Sequence, residues 1–419
     1  MHFIKLAALA GIMLWVIFIP IPAHASEEPD TPAIIINLPS RTLEYYEAGS
    51  LIREYRIAIG SAYSPTPLGT FHITDKEVNP AWYPPGKGYS VPSGPSNPLG
   101  YRWMGFLPTY GVHGTNMPWS IGRVVSNGCI RMLEEDVEEL FEMVRYRTPV
   151  KITYDRIKLR IDPQGNASIG IYPDVYGYKS ISLPQIEALL VEKGLSGLAD
   201  EGFLRRLIAD EAEQQIFFAQ VFDLEVNGLK LTDHAVSLDG ALYIPAIAVA
   251  NIMNTKLSWD QHNHTLTRKH QAIPALLKGS TIYVDLSYVS DLFGGKQTWK
   301  NFGRCLSLQI PTLFFAGLPL TSDIHAVGEQ KLIPALVAAD ALGIKLTWNA
   351  DKKLLRNSIR HIPVEIIDGE PYLATANLGE YFNAAVNWDD ERQVLEMTDS
   401  VYALDCSMYL DLMRDFIEL

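Results

Sequence analysis

Gly111-Val112-His113-Gly114-Thr115 and, after a short gap, Ser126-Asn127-Gly128-Cys129-Ile130-Arg131-Met132 decide how this chain is read. A thiol is a poor nucleophile until it loses its proton, and a neighbouring imidazole or cation favours that loss. His113 and Cys129 stand 16 residues apart, on segments able to lie side by side as strands. Gly128 permits close backbone approach and an unusual φ before the thiol. A helix is expected just beyond Arg131. Glu134, Glu135 and Asp136 fill its first turn, and Leu133, Val137, Leu140, Phe141 and Val144 recur at helical spacing. Its N-terminus is expected to point back toward Cys129, favouring thiolate and offering N–H donors to an oxyanion. A lone cysteine is most simply a small buried hydrophobe, and a lone histidine a satisfied structural residue. Together, with glycine beside each, they point to nucleophilic acyl transfer.

Around this pair the chain reads as strands and loops. Ala33 to Leu38 is β-branched, and Arg41 to Tyr46 and Glu54 to Ile59 flank a turn at Gly49. Residues 79 to 100 are too rich in Pro and Gly for regular structure and predict a long ordered loop. Within and just after it lie Asn79-Pro80-Ala81-Trp82-Tyr83-Pro84-Pro85, Gly94-Pro95-Ser96-Asn97-Pro98-Leu99-Gly100 and Tyr101-Arg102-Trp103.

These blocks, with His113-Gly114-Thr115 and Ser126 to Arg131, resemble the L,D-transpeptidase (YkuD-like) catalytic domain over residues 33 to 155. The resemblance implies a mainly β, sandwich-like domain. It implies Cys129 as acyl-accepting nucleophile and His113 as general base and then acid. The Gly114 carbonyl would orient the imidazole. The N–H groups of Gly128 and Cys129 would hold the oxyanion. Ser126 would shape the turn, and Arg131 would fix the loop or meet a substrate carboxylate. Asn79, Trp82, Asn97, Tyr101, Arg102 and Trp103 are candidates for the substrate cleft, though packing of the loop is an equal use for them. Many relatives carry a histidine where this chain has Asn127, so His113 is the only base expected. The substrates implied are peptidoglycan stem peptides, as acyl donor and as acceptor. Carbapenems are implied as acylating agents, and no cofactor is implied.

The rest of the chain sets the context. A net charge of −13 over 419 residues argues against a nucleic-acid partner. His2 and Lys5 precede an apolar run from Leu6 to Ile19, then Pro20, Pro22 and Ala23-His24-Ala25. That is the pattern of an export signal over residues 1 to 25, cleaved after Ala25. A permanent anchor is the alternative, though the run is short against the ~20 residues of a span. A secreted, extracytoplasmic, wall-associated protein is expected. Of three cysteines at least one is unpaired, and a Cys305–Cys406 bridge is open.

Residues 156 to 222 read as a connecting hairpin around Pro163-Gln164-Gly165 followed by two or three helices. Beyond them the chain repeats. Trp259, Trp299, Trp348 and Trp388 are spaced by 40, 49 and 40 residues. Pro245, Asp285, Pro334 and Ala374 each stand 14 before their Trp, and Leu266, Leu306, Leu355 and Leu395 each seven after. Constant offsets mark a repeated strand–helix–hairpin unit. The pattern resembles tandem copper amine oxidase N-terminal-like (stalk) domains, an α+β arrangement over 223 to 310 and 311 to 399. A helix is expected over 400 to 419. Units two and four lack the Ile-Pro pair seen at Ile244-Pro245 and Ile333-Pro334. His262, His264 and His270 lack a supporting Cys or carboxylate cluster, so no metal is expected. The tryptophans read as core, with carbohydrate stacking as the alternative.

The function expected is a secreted L,D-transpeptidase that forms cross-links through a cysteine thioester. An L,D-carboxypeptidase with water as acceptor is the nearest alternative. A wall-binding protein, holding cell-wall polymer through its C-terminal repeats with catalysis secondary, is another.

Overall fold

The computed structural model describes residues 32–328 and 330–399. The expected signal segment with its cleavage after Ala25, the expected helix over 400 to 419, and Cys406 lie outside the described residues. Strand outweighs helix, 43% to 18%, so the architecture is mainly β. Among the described residues no helix is long and apolar enough to cross a membrane.

The chain divides into two compact units. The first runs to Asp155 and takes in Val175–Tyr178. Its strands are β1 (Ala33–Asn37), β2 (Thr42–Glu47), β3 (Ser50–Arg56), β4 (Ile59–Gly60), β5 (Gly69–His72), β6 (Asp75–Val78), β7 (Arg102–Leu107), β8 (Tyr110–His113), β9 (Val124–Ser126), β10 (Ile130–Arg131) and β11 (Pro149–Thr153). Its helix is α1 (Glu134–Met143). One sheet has the order β3-β2-β1-β11-β5, the other β10-β8-β7-β6, and β4 pairs β9. β1 lies parallel to β11, Ile34 opposite Val150, so the two ends of the domain sequence meet at the sheet centre. That position explains the unbroken apolar run Ala33 to Ile36: a central strand is covered on both faces. Ile34, Ile36, Leu43, Met104, Val112, Ile130, Val137 and Leu140 share one core, which joins both sheets to α1.

The second unit holds Arg156–Asp174 and the chain from Lys179 onward. The expected hairpin is present as Ile157–Ile161 and Asn166–Ile171, and two helices follow, Leu183–Glu192 and Glu201–Asp210. Ser182 and Gln185 form a reciprocal capping box at the first of them. The boundary expected at residue 223 falls inside the strand Ile216–Val226. Its first half pairs with Asn166–Ile169 and its second half lies parallel to Cys305–Leu308. Ala219 and Val221 therefore pack with the hairpin and helices, and Leu224 and Val226 with the following core. The segment after Asp155 is part of this unit rather than a tether.

Farther on, strand, short helix and hairpin recur. Each hairpin sets a tryptophan opposite the leucine seven residues later: Trp259 and Leu266, Trp299 and Leu306, Trp348 and Leu355, Trp388 and Leu395. The leucines are buried. Trp299 departs from the expected core role: it is 45% exposed, its ring edge-on to Phe222. His264 packs edge-on against Trp259.

Candidate active site

The site is built on the middle of the second sheet. β7 and β8 are antiparallel, with Trp103 opposite His113, and β10 runs parallel to β8, with Ile130 opposite Val112 and Arg131 opposite His113. Side chains alternate faces along a strand. Val112 and Ile130 point into the core. Gly111, His113 and Arg131 therefore face the other way, and Cys129 stands in the bend that leads directly into β10.

His113 is buried and its Nδ1 lies 2.7 Å from the Gly114 carbonyl oxygen. A carbonyl only accepts, so this partner places the proton on Nδ1 and leaves Nε2 as the basic nitrogen. Burial pushes the imidazole down from 6.5 to about 4, the Gly114 carbonyl working against it and the Arg131 charge with it. His113 is neutral near pH 7. Trp103 stacks on it, rings 5.7 Å apart, and is itself held by Nε1 donating to Asp75 at 2.7 Å.

Cys129 is partly exposed, its Sγ 3.4 Å from the Thr109 carbonyl. Burial pushes the thiol up, while a backbone hydrogen bond at Gly111 and the Arg131 guanidinium pull it down. Between Cys129 and α1, which starts at Glu134, lies β10.

The turn before the thiol is tightly held. Gly128 has φ +105°, and a Cβ there would lie 2.5 Å from the Tyr110 ring. Its N–H donates to Ser126 Oγ at 3.1 Å, and Ser126 Oγ donates to the Cys129 carbonyl at 2.6 Å. The Gly128 N–H, expected to hold an oxyanion, is thus already committed within the turn. Asn127 is exposed between buried Ser126 and Gly128. Thr66, which sequence reasoning did not single out, donates from Oγ1 to the Gly128 carbonyl at 2.8 Å. Tyr176 donates to the Gly60 carbonyl at 2.7 Å and accepts from Thr66 N at 3.2 Å. Neither Thr66 nor Tyr176 carries a local sequence signal, because both are brought in by tertiary contact.

The loop residues separate. Trp103 joins the histidine. Asn97 does not face a cleft: it is fully buried, its Nδ2 donating to the Pro80 carbonyl at 2.7 Å and its Oδ1 accepting from Leu99 N at 2.8 Å. It ties the 79 to 100 loop to itself. Asn79 takes φ +57° and its N–H donates to the Tyr101 carbonyl at 2.9 Å. Trp82 pairs through its backbone with Val91. Arg102 turns to α1, 3.3 Å from Glu138 and over the Phe141 ring. The Tyr101 N–H donates to Glu134 Oε2 at 3.0 Å. Glu134 was legible only as a first-turn acid, yet its Oε1 also accepts from Thr115 N at 2.5 Å, beside the histidine. Among the described residues no cluster of three or more His, Cys, Asp or Glu is disposed to hold a metal ion.

The stretch that carries this site is similar to known proteins. The YkuD model, the L,D-transpeptidase catalytic domain, matches residues 31–152. A Bacillus licheniformis relative assigned to the L,D-transpeptidases (YkuD) is 40% identical over 128 residues, 30% of this chain and 68% of that one. A Bacillus subtilis relative assigned likewise (YqjB) is 36% identical over 141 residues, 32% of this chain and 78% of that one. Among solved structures, an L,D-transpeptidase from Mycobacterium smegmatis is 21% identical, with a TM-score of 0.25, and the match covers 29% of this chain and 58% of that chain. With the family model and both Bacillus relatives matching the stretch that carries the site, the chain belongs to the L,D-transpeptidase family.

Proposed function

We propose that the protein is an exported, cysteine-dependent acyltransferase that cross-links peptidoglycan stem peptides. The observation that carries the reading is a partly exposed thiol at the entry to β10, the strand paired with the one that ends in a buried, neutral imidazole whose Nδ1–H is committed to the Gly114 carbonyl. His113 Nε2 takes the thiol proton as Cys129 Sγ attacks a carbonyl carbon. That carbonyl belongs to the amide between the third, diamino-acid residue of a stem tetrapeptide and its terminal D-amino acid. The C–N bond breaks, the imidazolium returns the proton to the leaving amine, and the donor stem remains on sulfur as a thioester. An amine of a second stem then attacks, gives its proton to His113 and on to sulfur, and the cross-link forms with the thiol restored. The Cys129 N–H serves the oxyanion, its direction set by Thr66 holding the carbonyl of the same peptide. Arg131 meets substrate carboxylate. These steps call for no cofactor.

Purified protein is incubated with stem tetrapeptide, wild type beside Cys129→Ala. Release of D-amino acid and dimer by wild type alone is expected, and equal turnover by the two ends the reading. Trimmed monomer without dimer would make water the acceptor. A carbapenem adduct at Cys129 by intact mass is the expected companion result. Export is argued from residues 1 to 25. Mature protein is expected to begin at Ser26, and an intact Met1 on secreted material would falsify that.

A further inference from the structure

We propose that Glu134 is a positioning residue for His113, acting through the peptide that joins Gly114 to Thr115. The proposal rests on the acyl-transfer reading above.

The Thr115 N–H donates to Glu134 Oε1 at 2.5 Å, and the Gly114 oxygen lies 2.7 Å from His113 Nδ1. These two groups belong to one peptide. In a trans peptide the N–H and C=O point in opposite directions, and no cis bond occurs among the described residues. The carboxylate therefore sits on one side of the peptide and the imidazole on the other. Fixing the N–H fixes the carbonyl. An anion accepting from the N–H also polarises the group, which makes its carbonyl a stronger acceptor for Nδ1–H. In a Ser-His-Asp triad the carboxylate meets the imidazole directly and stabilises the imidazolium. Here one peptide intervenes, and the order is thiol, imidazole, peptide, carboxylate.

The surroundings are shaped for that carboxylate. A Cβ on Gly114 would lie 2.0 Å from Glu134 Oε1, and one on Gly100 1.8 Å from it. Both positions need glycine for the acid to approach. The second oxygen accepts from Tyr101 N at 3.0 Å. The preceding peptide is held as well: Gly114 N donates to the Arg102 carbonyl at 3.3 Å, and the His113 carbonyl accepts from Met132 N at 2.9 Å. Glu134 is the first residue of α1, and its side chain serves these loop N–H groups. Burial pushes its carboxyl up, and the two backbone N–H groups pull it back.

Glu134→Gln keeps the size and one acceptor oxygen but removes the charge. Wild type, Cys129→Ala and Glu134→Gln are compared on stem tetrapeptide and in carbapenem acylation. The expected result is a fall in kcat on the order of tenfold or more, with KM little changed. The acid limb of the pH–rate profile should move to lower pH. The His113 Nδ1–H proton resonance should move upfield. A lowered melting temperature with kcat, acid limb and resonance unmoved would make Glu134 a staple between loops and overturn the proposal. If wild type is no faster than Cys129→Ala, the acyl-transfer reading falls, and the resonance, which needs no turnover, still decides the role of Glu134. Should the Gln variant not fold, Glu134→Asp keeps the charge one methylene short. It is expected to lower kcat and shift the resonance, and wild-type values in folded Glu134→Asp also overturn the proposal.

Discussion

His113 shows how burial makes a single side chain sensitive to acid. Burial holds its pKa near 4 in the folded protein against 6.5 when exposed. As pH falls, the unfolded chain takes up the proton first, so this histidine's linkage lowers stability progressively from about pH 6.5 to about pH 4. The effect amounts to roughly 3 kcal/mol, from about 1.4 kcal/mol for each pH unit between the two values. Urea unfolding of wild type and His113→Gln across that window is the measurement. Wild type should lose stability relative to the variant as pH falls, and parallel curves would count against a buried neutral imidazole. The same residue separates what the sequence discloses from what it does not. His113, Gly114 and Cys129 announce themselves by their glycine neighbours and spacing. Glu134, Thr66 and Tyr176 do not: their roles come from hydrogen bonds to backbone, and a backbone group has no sequence identity to read. The Gly128 N–H, read as an oxyanion donor, turns inward because Ser126 lies two residues before it and its hydroxyl captures the turn.

At the scale of elements, strands and hairpins were the legible part. The seven-residue offset from each Trp to its Leu is a hairpin register, and the structure pairs those residues directly across the two strands. Exposure was not legible, because paired residues share a sheet face and the offset does not say which strand is covered: Lys296–Lys300 is exposed throughout and Cys305–Gln309 is buried throughout. Leu306 is fully buried while its partner Trp299 is 45% exposed. Leu306→Ala should therefore cost about 2–5 kcal/mol through loss of burial and the cavity left behind. Trp299→Ala should cost much less, about 1 kcal/mol, the scale of an aromatic contact such as the one it makes with Phe222. Chemical denaturation of the two variants ranks them, and a Trp299→Ala loss equal to that of Leu306→Ala would contradict the difference in their burial. For α1 the periodicity gave the helix, with two residues of β10 between Cys129 and its first turn, but not the contact its first acid makes with the histidine loop.

On the scale of the whole chain, the unit that carries the site is discontinuous. It ends at Asp155 and is completed by Val175–Tyr178, after the hairpin that belongs to the second unit. No composition shift marks that return. Tyr176 supplies the contact: its hydroxyl bridges Gly60 and Thr66, and its N–H donates to the Tyr154 hydroxyl at 2.7 Å. Thr66 in turn holds the Gly128 carbonyl, one residue before the thiol. Removing the Tyr176 hydroxyl leaves the Gly60 carbonyl and Thr66 N–H without that partner while the ring keeps its packing on Tyr154. Tyr176→Phe should thus destabilise this unit by about 1–3 kcal/mol, the cost of leaving buried backbone groups unpaired. Because Thr66 then loses one of its anchors, carbapenem acylation of Cys129 should also slow at temperatures well below unfolding. Melting by circular dichroism and acylation followed by intact mass, on the full chain, test the two halves separately. Lost stability with unchanged acylation would confine Tyr176 to the fold, and unchanged values of both would remove the 175–178 segment from any part in the site.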